Sequence, residues 1–207
     1  HRERLGTLSN DMVSVAQRMS ERWDAITQRG EPLDVDAEMM TLTLNVVGQS
    51  LFGINFEQNA DALVSAVVTT LDHVIYRAIN PFALPNAIPT ARNRRFRSAR
   101  RRLDDAIFAI IAHRRAHPAD RSDLLEMLMS AQDEETGARM TDAQLRDEII
   151  TLIIAGHETV ASALTWTWYF LAKYPHVLRR LQAELDEVLG GRVPTMADLP
   201  RLAYTRM

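Results

Sequence analysis

Near the middle of a long apolar stretch lies the pentapeptide Ala155-Gly156-His157-Glu158-Thr159, the densest concentration of potential chemistry in the chain. Each residue asks for a reason. Glycine inside a helix costs about 1 kcal/mol relative to alanine, and its missing side chain lets another backbone or a flat ligand approach closely. A buried glutamate needs a partner, a proton or a path to solvent. Thr159 can return its hydroxyl to the carbonyl of Ala155, four residues back, and such bonding tends to bend a helix. Together they describe a locally opened helix with an acid and a hydroxyl beside a gap. The same five residues also suit a plain helix crossing at Gly156, with Glu158 paired to an arginine.

Other constellations are weaker. His157-Glu158 begins a zinc-protease pattern, but Ala161 stands where the second histidine must be, so that reading fails. His157 is better explained as a packing residue. His113 and His117 have metal-pair spacing but no evident third ligand, and histidines suit a helix C-terminus. Arg92 to Arg102 holds seven arginines in eleven residues. Phe96 and Leu103 interrupt that run on a core-facing stripe, no aromatics interleave for base stacking, and Asp104-Asp105 follow within reach of Arg100 and Arg101. A solvated helix face is favoured over a nucleic-acid surface. The eight glycines form no dinucleotide or phosphate-binding fingerprint.

The elements that must position these residues are helical. In 207 residues, 46% hydrophobic and 25% charged with net charge −3, the composition is that of an ordinary globular body with a core. Cysteine is absent, which excludes disulfides, thiolate metal sites and a cysteine nucleophile and suits a reducing, cytoplasmic setting. Apolar residues recur at helical spacing almost throughout. Leu8, Met12, Val15, Met19, Trp23 and Ile26 form one stripe, stopped at Gly30-Glu31-Pro32. A second helix is expected from a cap at Asp36, with Met40, Leu44, Val47 and Leu51 inward and Gly53 after it. A third carries Val64, Val67, Leu71, Val74 and Ile75. Pro81, Pro85 and Pro89 make the next stretch a loop. A fourth helix runs from about Ala91 to His117, through Phe96, Leu103, Ile107, Ile110 and Ile111, and Pro118 ends it. Ser122 can cap a short helix through Ser130, and Gln132 to Arg139 reads as a loop.

Thr141 to Ala172 is the longest helical candidate. Between Ile149 and Ala172 lie 24 residues with one carboxylate, Glu158, and one histidine, His157. A helix apolar on nearly every side is buried in protein or in a bilayer. About 36 Å of length would cross a membrane, but an ionisable pair at mid-bilayer is costly and no second span is expected. A central core helix is preferred, with no membrane span. Pro175 opens a last helix with Leu178, Leu181, Leu185 and Val188 inward, closed by Gly190-Gly191. The expectation is an all-α array of about seven helices around one long buried helix.

The pentapeptide 155–159 resembles the distal oxygen-binding signature of the cytochrome P450 family. Three segments C-terminal to it resemble the family as well. They are Leu171-Ala172-Lys173-Tyr174-Pro175, an acidic amphipathic helix to Gly190-Gly191, and Asp198-Leu199-Pro200-Arg201-Leu202-Ala203-Tyr204-Thr205. Together with the pentapeptide they are similar to the family's helices I and J and the approach to helix K. Leu42 to Gly48 is more loosely similar to helix E, and the arginine run to the start of helix G, near a substrate entrance. Val160 departs from the threonine or serine usual after Thr159. The resemblance implies a partial cytochrome P450 domain over 1–207, spanning the helical D–J portion of the fold. Both ends are expected to be cut, with the family's Glu-x-x-Arg pair and cysteine loop beyond Met207.

The implied function is that of a haem-dependent monooxygenase acting with dioxygen on a small lipophilic substrate, the fragment alone being inactive. Its haem b would be ligated by a cysteine outside this chain. Ala155, Gly156 and Thr159 would face the haem. Thr159 and Glu158 would be catalytic, Thr159 bonding the oxygen being activated and Glu158 relaying protons from solvent. Electrons would come from a separate ferredoxin or flavoprotein, or from a fused reductase. No nucleic-acid partner is expected. The alternatives are an all-α binding or scaffold protein without haem chemistry, and a single-span membrane protein.

Overall fold

The structure is a computed structural model that describes residues 2–56, 60–117 and 123–207. Seven α-helices follow one another, with a short 3-10 helix at Leu199–Arg201 and no named strand among the described residues. They are α1 (Arg2–Gln28), α2 (Val35–Phe52), α3 (Ala60–Ile79), α4 (Ala91–Ala116), α5 (Leu124–Ser130), α6 (Asp142–Lys173) and α7 (Pro175–Leu189). The chain divides into two compact units, Asn55–Gly156 and a discontinuous one of His1–Ile54 with His157–Met207.

In the discontinuous unit α1 packs on α2. Helix α1 stops as its composition predicts. The Gly30 amide bonds Thr27, the Glu31 amide bonds Ile26, and Gly30 takes φ +67°, the paired bonds of a Schellman motif. The cap of α2 is Asp34 rather than Asp36, its carboxylate accepting from the Ala37 amide at 3.1 Å. Asp36, two residues into the helix, accepts instead from the Thr165 hydroxyl at 3.1 Å. Met12, expected inward, is 46% exposed. Asp11 takes the inward position and joins a polar clasp between α1 and α2. In it the Gln49 amide donates to Asp11 and Ser14 (3.3 and 3.1 Å) and accepts from Arg18 at 2.8 Å. Helix α7 carries Pro175 in its first turn and ends on Gly190 at φ +57°. Its Glu184 then accepts from the Tyr204 and Thr205 amides and the Thr205 hydroxyl.

In the other unit α3 and α4 pack through Ala66, Val67, Ala99 and Leu103, with Ile150 and Ile154 of α6 against them. Val74 and Ile75, expected inward, are 53% and 55% exposed. The inward position goes to His73, whose ring stacks on Phe96 at 4.0 Å. Helix α5 is capped by Asp123, which accepts from the Glu126 amide at 3.0 Å and pairs, buried, with Arg114 through two bonds of 2.7 and 2.8 Å. Pro118 and Ser122, expected as breaker and cap, lie outside the described residues. Of the expected arginine–aspartate pairs, Arg100–Asp104 forms at 3.6 Å, and Asp104 is shared with Arg146. The stretch 132–139 is a tight turn closed by one bridge between Gln132 and Arg139. Among the described residues two helices, not one, have the length and composition for a membrane crossing, since 62–79 qualifies beside α6. In that second segment Asp72 and Arg77 sit among the apolar residues.

Candidate functional site

Helix α6 starts from a reciprocal cap. The Thr141 hydroxyl accepts from the Gln144 amide at 3.3 Å, while the Gln144 side chain accepts from the Thr141 amide at 2.9 Å, the arrangement of a capping box. From there the helix runs to Lys173 without interruption, so the local opening expected at Gly156 is not present. Threonine hydroxyls return to carbonyls one turn back at Thr151, Thr165 and Thr167 without breaking it.

Every fourth residue from Leu145 is buried: Leu145, Ile149, Ile153, His157 and Ala161. At 3.6 residues per turn, positions two away from such a row point nearly opposite. Thr151, Ala155, Thr159 and Ala163 are accordingly exposed, as is Ser162. One long face of α6 therefore carries only small side chains until Trp166. The spacing of four that runs through 151, 155, 159 and 163 was visible in the sequence. Thr151, Ser162 and Ala163 were nonetheless left out of the expected site.

The pentapeptide is thus divided by the helix. Ala155 and Thr159 stand one turn apart on the exposed face, and neither lacks an interaction partner. Gly156 and Glu158 are half-buried at the flanks. Glu158 has no ion pair or hydrogen bond among the described residues, so the arginine partner of the plain-crossing reading is not there. His157 faces the opposite way and has no exposure. The Met40 carbonyl of α2 lies near its ring and favours the protonated form, yet neither ring nitrogen meets any group at hydrogen-bonding geometry. Burial dominates and holds the imidazole below its ordinary pKa. It belongs to the packing.

No cluster of three or more metal-ligating side chains occurs among the described residues. His113 and His117 stack ring on ring at 4.7 Å rather than converging on an ion. A flat prosthetic group meets a better match. The small-residue face around Ala155, Gly156 and Thr159 would let a planar macrocycle lie against the helix with no side chain in the way. The donor set limits this fit, because 207 residues without cysteine offer no thiolate to hold the iron of such a group.

Three comparisons bear on this geometry. The family model described as Cytochrome P450 matches residues 3–207. Cyclooctatin synthase of Streptomyces melanosporofaciens is 40% identical over 100% of this chain and 44% of its own length. Cyclooctat-9-en-7-ol 5-monooxygenase of the same organism is 35% identical over 86% of this chain and 39% of its own. The crystal structure of the cytochrome P450DA heme domain superposes with a TM-score of 0.82 at 28% identity, over 99% of this chain and 45% of that one. The chain thus spans less than half the length of each of these relatives.

Proposed function

This chain belongs to the cytochrome P450 family, and from that premise we propose that it forms the distal side of a haem-dependent monooxygenase acting on a small lipophilic substrate. A haem b lying against the Ala155–Gly156–Thr159 face would supply dioxygen binding and activation, with a thiolate ligand from outside these 207 residues. Ala155 and Gly156 keep that face clear of side-chain bulk. The Thr159 hydroxyl, on an exposed residue one turn from Ala155, would give and accept a proton at the reacting oxygen. The carboxylate of half-buried Glu158, unpartnered among the described residues, would draw protons from solvent and pass them toward that hydroxyl.

The observation that carries the proposal is an exposed threonine next to a glutamate that has no partner among the described residues. Neither glycine-rich fingerprint nor nicotinamide or flavin motif occurs in the chain, so electrons would come from a separate ferredoxin or flavoprotein, or from a fused reductase. We place the protein in the cytoplasm, where thiol-poor chemistry and small electron carriers are compatible. The test is incubation of a haem-loaded enzyme that joins these residues to the thiolate-bearing part with an electron donor, isotopically labelled dioxygen and lipophilic candidates, cyclooctat-9-en-7-ol among them. One labelled oxygen atom in the product is expected. Product oxygen drawn from water would overturn the assignment.

A further inference from the structure

We infer that the groove between α3 and the first turns of α4 binds a small organic anion, a carboxylate whose body also carries a hydroxyl group. The inference does not rest on the α6 site. The groove is a cavity of about 480 Å³, within the range of ordinary small-ligand sites. Val68, Thr69 and Asp72 line it from α3, and Ala91, Arg92 and Arg95 from α4. None of these belongs to the cluster of Ala66, Val67, Ala99 and Leu103 that meets Ile150 and Ile154 of α6. All but Thr69 are exposed, so the groove opens to solvent.

The first ground is charge. Helix α4 has no acidic residue in its first turn and begins instead with Arg92, Arg94 and Arg95. Cations there oppose the helix dipole, and the leading amides have no partner within the helix. A bound anion answers both. The two arginines of the groove are not equivalent. Arg92 is committed, pairing with Asp72 at 2.7 Å and lying over the Tyr76 ring at 4.1 Å. Arg95 has no ion pair or hydrogen bond among the described residues. One uncompensated positive charge is left, which suits a monoanion.

The second ground is His73, which lines the same groove at 2% exposure and whose Nδ1 meets no hydrogen-bonding partner. A buried polar atom left so is uncommon. Its protonation can be read from its neighbours. Asn86 Oδ1 accepts from Arg77 at 3.0 Å and lies 2.9 Å from His73 Nε2. An atom that accepts from a guanidinium cannot donate, so Nε2 carries the proton of the neutral ring and Nδ1 is a bare lone pair. A carboxylate cannot satisfy that acceptor, and a hydroxyl can. Stacking on Phe96 at 4.0 Å holds the ring in place. Nδ1 is covered, so the ligand reaches it by shifting a lining side chain; Arg95, long and unpaired, can move.

The test is calorimetric titration of the complete haem-loaded enzyme with meta-hydroxybenzoate, benzoate and the methyl ester of meta-hydroxybenzoate, with the haem absorption band recorded alongside. Saturable binding of meta-hydroxybenzoate is expected, with the band unmoved. Benzoate, lacking the hydroxyl, should bind about fivefold more weakly, and the ester, lacking the charge, about tenfold or more. Arg95→Gln should weaken binding of the hydroxy acid about tenfold. His73→Phe keeps a ring against Phe96 but removes Nδ1; it should bring the hydroxy acid down to the affinity of benzoate and leave benzoate unchanged. Circular dichroism checks both folds, and the exposed Arg95 gives a test of the charge even if His73→Phe does not fold. Absence of saturable binding overturns the inference. So does binding that the ester or the Arg95→Gln variant matches, a His73→Phe variant that weakens both acids alike, or a haem band that shifts in step with saturation.

Discussion

Replacing His157 by leucine is the most direct test of how α6 is oriented. The substitution removes two ring nitrogens that are fully buried and meet no partner at hydrogen-bonding geometry. An unsatisfied buried polar group costs about 1–3 kcal/mol, and leucine adds a few tenths of a kcal/mol of helix propensity. Imperfect fit of a similarly sized side chain takes back up to about 1.5 kcal/mol. The net expectation is a protein at least as stable as the native one near neutral pH, and more stable by about 1 kcal/mol if the cavity accommodates leucine well. The pH dependence is sharper. Burial lowers the folded-state pKa of His157 from its ordinary 6.5, so below that value the unfolded chain binds the extra proton and the folded one does not. The native protein therefore loses stability as pH falls from about 6.5 toward the folded pKa. The leucine variant lacks this loss. Urea midpoints for both proteins at about pH 7.5 and about pH 5.5 measure it, because shared carboxylate effects cancel in the difference. A variant destabilised by more than about 2 kcal/mol with an unchanged pH slope would refute the reasoning. It would mean that the imidazole has a strong partner and that α6 is turned differently.

In the complete enzyme Thr159→Ala should leave haem binding intact but uncouple electron consumption from product formation, with peroxide released; unchanged product per electron would remove Thr159 from the mechanism. Glu158→Gln should slow turnover by about a hundred- to ten-thousandfold and enlarge the solvent isotope effect, measured as the rate in heavy against light water. Asp123→Ala removes both the α5 cap and the buried partner of Arg114, and should cost about 3–5 kcal/mol by denaturant titration. A cost near that of a surface change would show that the pair is open to water. Asp198 accepts from Arg192, whose guanidinium does most to hold its carboxyl well below the usual range, aided by the Thr195 amide and hydroxyl. Its carboxyl resonances should stay those of the ionised form as pH falls through the ordinary aspartate value near 3.8. The anchoring of the 192–198 turn is then lost only at lower pH; titration at the ordinary value would show that the clamp does not form in solution.

Much of the helical frame was legible because helix signals are local. Gly30, Gly53 and Gly190 each stop a helix where composition places the end, and Pro175 opens α7 at its first position. The misses share one cause. Met12, Val74 and Ile75 were placed inward because apolar residues at helical spacing normally face a core, yet all three face outward. Periodicity ranks the faces of a helix by polarity, but the neighbour decides which face is covered, and here Asp11 and His73 won those positions through bonds to Gln49 and Asn86. The cap of α2 slipped in the same way, because Asp34 and Asp36 are equally good N-cap residues in isolation and only Asp34 is placed to bond the Ala37 amide.

By itself the sequence determined the all-α character, the length of α6, and the order Ala155-Gly156-His157-Glu158-Thr159, because these depend on covalent order and on interactions within a few residues. It also determined that no thiolate can come from this chain. Only the tertiary structure decided that His157 turns into the packing beside Met40 while Ala155 and Thr159 turn out, and that Glu158 has no arginine partner among the described residues. A nearly all-apolar helix offers no polarity contrast from which its rotation can be read. That rotation is set by the helices packed against it, whose side chains are distant in sequence and meet only in the folded chain.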